Sequence, residues 1–210
     1  MSRRGESPLL SSRNRRIKRI FDVVVSLCVL IFIFPFIFLF CALGIKFSMP
    51  GGPIFFLQKR LGKGGKEFVL YKFRTMRVNR DCHIRETTEN DERITRFGAF
   101  MRKYSLDEFP QFINVLKGEM SIVGPRPHMP SLASQYSMIF ADYYDRLAVQ
   151  PGITCLAQVQ GFRDIVGDNS LLTMRAKYDL WYISHWSFFL DIKIIVKTFL
   201  LTLCGDRNAF

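Results

Sequence analysis

Val23 to Leu43 is almost wholly apolar, and such a run decides which solvent the chain must fold in. A helix needs about 20 apolar residues to cross a bilayer. Pro35 falls near the middle of the run, leaving helical arms of roughly 12 and 10 residues, or about 18 and 15 Å, each about half a bilayer thick. Arginines precede the run and Lys46, Lys59, Arg60, Lys63 and Lys66 follow it, so positive charge marks neither flank as cytoplasmic. These features favour a helix that enters one leaflet, breaks at Pro35 and returns to the same face. A single spanning helix is the alternative. A cleaved signal peptide is disfavoured, because the run exceeds the usual apolar core of one and no small-residue cleavage site follows it.

The chain has 210 residues, which suits one domain, a formal net charge of +12 and 21 phenylalanines. Basic charge with many aromatics fits a nucleic-acid binder, an anionic membrane surface or phosphate-rich substrates. Here the charge brackets a membrane segment, which favours membrane lipids and phosphates and argues against nucleic acid. Asp22, at the mouth of the apolar helix, reads as a helix-terminus cap or a partner of Arg19, with a direct catalytic role as the lesser reading. Ile54 to Leu57 and Phe68 to Phe73 predict two short strands joined by a turn at Gly62, Lys63, Gly64 and Gly65. Lys59, Arg60, Lys72 and Arg74 flank them, and a solvated face over anionic lipid heads accounts for some of these. Residues 77–96 form a polar loop, in which Cys82 and His83 have no second pair at metal-ligand spacing.

Residues 128–150 look helical around Met138, Phe140 and Tyr143. Phe188, Phe189, Ile192, Ile195, Val196, Phe199 and Leu203 recur at helical spacing with Lys193 and Lys197 among them. That helix either lies at the membrane interface or packs on the core. The five cysteines show no disulfide-like pairing, which fits a reducing compartment. The mixture predicts an α+β fold.

Ser105 followed three residues later by Glu108 reads as a capping box, and Phe109, Phe112, Ile113 and Leu116 then share one apolar face. Asp107, Gln111 and Asn114 fall on a different, polar face. Pro110 belongs in a first helical turn, so a start at Asp107 is equally defensible. Gly118 closes the helix, and Gly124-Pro125-Arg126-Pro127 then presents a guanidinium from a stiff backbone, suited to gripping phosphate or carboxylate.

The run SLDEFPQFINVLKGEMSIVGPRP, residues 105–127, resembles the signature of the bacterial sugar transferase family, monotopic polyprenyl-phosphate phosphoglycosyl transferases. Other segments agree: Lys18-Arg19-Ile20-Phe21-Asp22, Gln58 to Gly62, Tyr71 to Met76, Asn90 to Thr95, Pro151 to Gly161, and Tyr178 to Ser187. Phe34, Gln150, Cys155 and Leu156 depart from the family pattern. The resemblance is particularly close to the catalytic half of undecaprenyl-phosphate glucose or galactose phosphotransferases, and it implies the small form without an added multi-helix region. It implies residues 1–16 as a basic disordered tail, 17–47 as a re-entrant membrane helix with Pro35 at its break, 48–205 as a catalytic domain with interfacial helices, and 206–210 as a tail.

Moving a phosphosugar between two polyanions requires charge neutralisation, positioning and an exchange of leaving group for acceptor. Adjacent helical residues point about 100° apart, so Asp107 and Glu108 suit divided roles rather than a shared proton. The resemblance implies that Asp107 attacks the donor's sugar-side phosphate as nucleophile, and that Glu108 binds Mg²⁺. It places Lys59, Arg60, Lys72, Arg74 and Arg126 at substrate phosphates, with Gln111 and Asn114 behind the metal or merely solvated. The implied donor is a UDP-sugar and the acceptor a polyprenyl phosphate. The implied location is the bacterial cytoplasmic membrane with the site on the cytosolic face, and a homodimer is left open. A membrane-tethered adaptor without catalysis is the rival reading.

Overall fold

The computed structural model describes residues 7–78, 91–162 and 169–205; Cys82 and His83 and the 206–210 tail lie outside them. The apolar run forms one helical stretch, Ser12 to Ser48, made of α1 (Ser12–Cys28), a π turn (Val29–Ile33) and α2 (Phe34–Ser48). The sequence predicted a break at Pro35, but the helix continues through it. Pro35 sits in the first turn of α2, and just before it the Phe34 N–H reaches back five residues to the Val29 carbonyl. That wider turn accommodates the proline without ending the helix. Outward side chains are bare: Phe36 is 76% and Phe47 84% exposed. So much uncovered apolar surface, on a helix with the length and composition to cross a membrane, belongs against lipid. The protein is a membrane-associated α+β fold.

Regular structure begins earlier than the sequence suggested. A 3₁₀ turn, Pro8–Leu10, is capped by Ser7 and buries Leu9 in the core, and α1 begins at Ser12. The Ser7 hydroxyl also donates to the Ile183 carbonyl at 2.6 Å. One buried leucine and one cap outweigh the local charge density that suggested disorder.

The predicted hairpin is present as β1 (Phe55–Leu61) and β2 (Glu67–Phe73), antiparallel, with Phe56 opposite Lys72 and Arg60 opposite Phe68. The chain continues through α3 (Arg96–Lys103), α4 (Gln111–Lys117), β3 (Ser121–Val123) and α5 (Pro130–Ile139). It ends with β4 (Gly152–Thr154), α6 (Leu156–Val159), α7 (Asn169–Ser184) and α8 (Phe188–Cys204). Gly118, at φ 80°, closes α4 as predicted.

The sequence did not predict the parallel pairing of β3 with β4. Glycine is required where they meet, because a Cβ on Gly152 would stand 2.1 Å from the Gly124 nitrogen and one on Gly124 2.4 Å from the Gln150 carbonyl. This contact fixes the start of the Pro125-Arg126 segment.

Two apolar clusters hold the domain. The first joins Leu9, Phe68, Val115, Ile122, Tyr182 and Ile194, and the second joins Cys41, Ile45 and Met49 of the membrane helix to Phe73 and Met101. Both ends of the membrane helix are thereby anchored in one folded body. On α8, Asp191 and Ile194 are buried while Phe189, Phe199 and Leu203 are exposed. One helix thus packs on the core and still presents an apolar stripe.

Candidate active site

A turn, not a helix, carries the acidic pair. Leu106–Glu108 form a 3₁₀ turn, and Ser105 before it sits at φ 51°, ψ 23°, the left-handed region that non-glycine residues rarely adopt. Its side chain makes no cap, so the predicted capping box is absent. Pro110 accounts for this: it has no N–H and its φ of −60° suits a helix start, so α4 begins immediately after it at Gln111. A left-handed serine costs about 1–3 kcal/mol, and such strain gathers where geometry serves chemistry. Asp107 and Glu108 both end up only 5% exposed.

The polar side of α4 is buried more deeply than amphipathicity predicts. Gln111 and Asn114 are buried, whereas Phe109, Phe112, Ile113 and Leu116 are half-buried. The reason is the open edge of β2. The Asn114 Oδ1 accepts from the Tyr71 N–H at 3.1 Å, and its Nδ2 donates to the Val69 carbonyl at 2.7 Å and to Glu119 Oε2 at 2.7 Å. One amide side chain completes the strand edge and clamps α4 to the hairpin. Asn114 therefore anchors the fold. Gln111 is buried one helical step from the acids, with its Nε2 unpaired.

Two of the predicted basic residues converge on the pair. Lys72 Nζ lies 3.0 Å from Glu108 Oε1 and 3.9 Å from Asp107 Oδ2, and Arg126 Nη2 donates to the same Glu108 oxygen at 2.9 Å. Arg60 shares the hairpin face of Lys72 and supports the Arg126 segment by donating to the Pro127 carbonyl at 3.2 Å. Lys59 does not join them: alternation turns it to the opposite face, where its side chain is 74% exposed and pairs with Glu67 at 3.2 Å. Arg74 is also elsewhere, buried beneath the linker after α2 and donating to the Met49 carbonyl. A basic side chain at a helix C-terminus satisfies carbonyls the helix leaves open.

Sequence reasoning missed the cluster behind Arg126. Arg146 donates to the Asp179 carboxylate through Nε and Nη2, to the Arg126 carbonyl at 2.8 Å and to His128 Nδ1 at 2.9 Å. Burial opposes its charge, but Asp179 and Tyr143 outweigh that and hold Arg146 more firmly protonated than an ordinary arginine. The buried His128 is pushed well below the usual imidazole range by desolvation, and then by the charges of Arg146, Arg175, Arg60 and Arg126. Since Arg146 can only donate, Nδ1 accepts and the His128 proton sits on Nε2. Tyr143 and Asp179 lay in stretches that drew notice, but nothing in a sequence pairs residues this far apart.

Two of the unusual positions also have structural roles. Gln150 donates to the Gly118 carbonyl at 2.7 Å, closing the end of α4. Cys155 caps α6, and burial pushes its thiol up to about 11, so it stays protonated and is no nucleophile.

Residues 13–205 match the family model described as bacterial sugar transferase. The chain belongs to the bacterial sugar transferase family. It is 47% identical over 195 residues to a UDP-glucose:undecaprenyl-phosphate glucose-1-phosphate transferase of Xanthomonas campestris pv. campestris, covering 92% of this chain and 40% of that protein. It is 41% identical to the exopolysaccharide production protein PSS of Rhizobium leguminosarum bv. phaseoli, covering 91% of this chain and 98% of that one. An undecaprenyl-phosphate galactose phosphotransferase of Salmonella typhimurium is 38% identical, with 97% of this chain and 44% of that protein covered. The chain thus spans about 40% of the length of the first curated relatives it matches.

Among the described residues no group of three or more His, Cys, Asp or Glu could hold an ion, and the carboxylates gathered at Lys72 are Asp107 and Glu108. That small donor set fits Mg²⁺, which keeps several waters and fills its octahedron with substrate phosphate oxygens.

Proposed function

We propose that the chain transfers a sugar-1-phosphate, glucose-1-phosphate or galactose-1-phosphate, from a UDP-sugar to undecaprenyl phosphate, releasing UMP. The observation that carries the reading is the buried Asp107-Glu108 pair bracketed by Lys72 and Arg126. Lys72 and Arg126 neutralise the donor's diphosphate. An Asp107 oxygen attacks the sugar-side phosphorus, and the phosphorus–oxygen bond to UMP breaks with its electron pair leaving on UMP. The resulting acyl phosphate is attacked by an oxygen of undecaprenyl phosphate, which frees the Asp107 carboxylate and forms undecaprenyl-diphosphate-sugar. Glu108 would hold Mg²⁺, which supplies charge neutralisation at the phosphates when bound.

The membrane helix is read as re-entrant. Its support is that the N-terminal end is fixed through Leu9 in one core cluster and the C-terminal end through Met49 in the other, both in the same domain. A lipid-borne acceptor and a water-soluble donor can meet only at the interface, so the site faces the cytosol at the inner membrane. The reaction initiates exopolysaccharide, capsule or related glycan synthesis.

The test is UMP release by purified protein with undecaprenyl phosphate and UDP-glucose, UDP-galactose or UDP-N-acetylgalactosamine, with and without Mg²⁺. Acceptor-dependent release with one donor, lost in Asp107→Asn by about 10³-fold or more and stopped by EDTA, is expected. Release that survives Asp107→Asn would remove the covalent mechanism, and no release from any donor would favour a tethered adaptor.

A further inference from the structure

One turn of the membrane helix touches both segments that carry the reactive groups. Asp22 was predicted to cap its own helix or pair with Arg19, yet it is 3% exposed and its Oδ1 accepts from the Ile122 N–H of β3 at 3.0 Å. The neighbouring Ser121 N–H is taken by the Pro151 carbonyl at 2.8 Å. Successive strand amides point to opposite sides, so the Ile122 N–H faces away from β4 and finds its acceptor on α1. Two residues beyond β3's Ile122 begins Gly124-Pro125-Arg126. On the same turn, Arg19 Nη2 donates to the Leu116 carbonyl at 2.7 Å and Nη1 to the Val115 carbonyl. These carbonyls end α4, the helix that follows the Asp107-Glu108 turn.

We propose that Asp22 is a positioning residue for the transfer, and that with Arg19 it clasps the Arg126 segment and the acid-bearing segment to the membrane helix. The function is mechanical: lipid phosphate arrives at a depth set by the bilayer, and the clasp fixes Arg126 and Glu108 relative to the helix that sits at that depth. Other contacts support the same segment from the side, since Tyr182 of α7 packs with Ile122 and Val123 in one core cluster. Those contacts hold β3 to α7, whereas Asp22 and Arg19 tie the two halves of the site to α1 through one turn. The carboxylate accepts from the Ile122 N–H, with the Ser121 side chain and the Lys18 charge also beside it, and an amide oxygen in its place keeps the acceptor for the strand.

This inference rests on the transferase reading, and its test separates the two. Asp22→Ala and Asp22→Asn are prepared in the full chain in lipid nanodiscs, with Arg19→Met as a second variant. Hydrogen exchange is followed across residues 121–126 and UMP release is measured with varied donor and acceptor. Asp22→Ala is expected to speed exchange at Ile122 by about 10-fold or more and to lower kcat by about 10- to 100-fold. Asp22→Asn is expected to restore both. An Asn variant as slow as the Ala variant would overturn the proposal, because it would show a need for the charge. Unchanged exchange at Ile122 in Asp22→Ala would also overturn it, whatever the enzyme assay shows. Should wild-type protein release no UMP while exchange responds as expected, the clasp stands as a structural coupling and the transferase reading fails alone.

Discussion

Lys18 and Lys72 each meet a buried carboxylate, in opposite settings. Lys18 Nζ lies 2.6 Å from Asp191 Oδ2, and Asp191 also accepts from the Tyr182 hydroxyl at 2.7 Å and from Trp186 Nε1 at 3.0 Å. One carboxylate there gathers three donors from α1, α7 and the approach to α8. Lys72 instead serves two acids, at 3.0 and 3.9 Å, and one of them is shared with Arg126. Its side chain is also 19% exposed, against 10% for Lys18. An acceptor saturated with protein donors holds elements together. Cations that are shared among acids and partly exposed can be taken by an incoming diphosphate. The same residue types thus build a joint in one place and a reactive cluster in the other.

The largest expected effect comes from breaking the joint. Asp191→Ala leaves a buried ammonium, a hydroxyl and an indole N–H without their acceptor, which should cost about 3–5 kcal/mol of stability. Chemical denaturation in detergent measures it. A loss below about 1 kcal/mol would mean that water reaches Lys18, and the contrast between the two lysines would collapse.

Lys72→Met attacks the other side of the contrast. Arg126 still pairs with Glu108, so the stability change should stay below that of Asp191→Ala, at about 1–3 kcal/mol. Activity should suffer instead: loss of one phosphate-neutralising cation predicts about a 100-fold drop in kcat/KM, equivalent to about 2.7 kcal/mol. A variant that loses stability as Asp191→Ala does while keeping its turnover would reverse the assignment of joint and reactive cluster.

What could be read from the sequence divides along the same line. The hairpin, the end of α4 at Gly118 and the membrane helix follow from periodicity and turn chemistry, which are local. The gathering of Lys72 and Arg126 around the acids was reached only through the resemblance, because residues on different elements carry no common period. Local rules also misled in identifiable ways. Ser105 and Glu108 have capping-box spacing, but Pro110 moved the helix start beyond them. Asn114 reads as polar and outward, but an open strand edge needed both its donor and its acceptor. Lys59 and Arg60 are adjacent in sequence, and the pleat sends them to opposite faces. Asp22 looked like a helix cap because its true partner, the Ile122 N–H, is a hundred residues away.

His128 offers a third setting, in which cations surround a group that titrates. Arg146, Arg175, Arg60 and Arg126 all disfavour its charged form, and burial disfavours it more. Its folded pKa therefore lies below the ordinary value of about 6.5, and between the two the unfolded chain binds a proton that the folded chain does not. Stability from this source is complete above about pH 6.5 and is lost as pH falls beneath it, by at most about 1.4 kcal/mol per pH unit. Melting curves from pH 7 to 5 should slope downward in the wild type and less steeply in His128→Gln, which keeps a polar side chain of similar reach but cannot titrate. Equal slopes would assign the acid sensitivity to carboxylates instead, and would mean that the arginines around His128 are already balanced by solvent rather than by the neutrality of the imidazole.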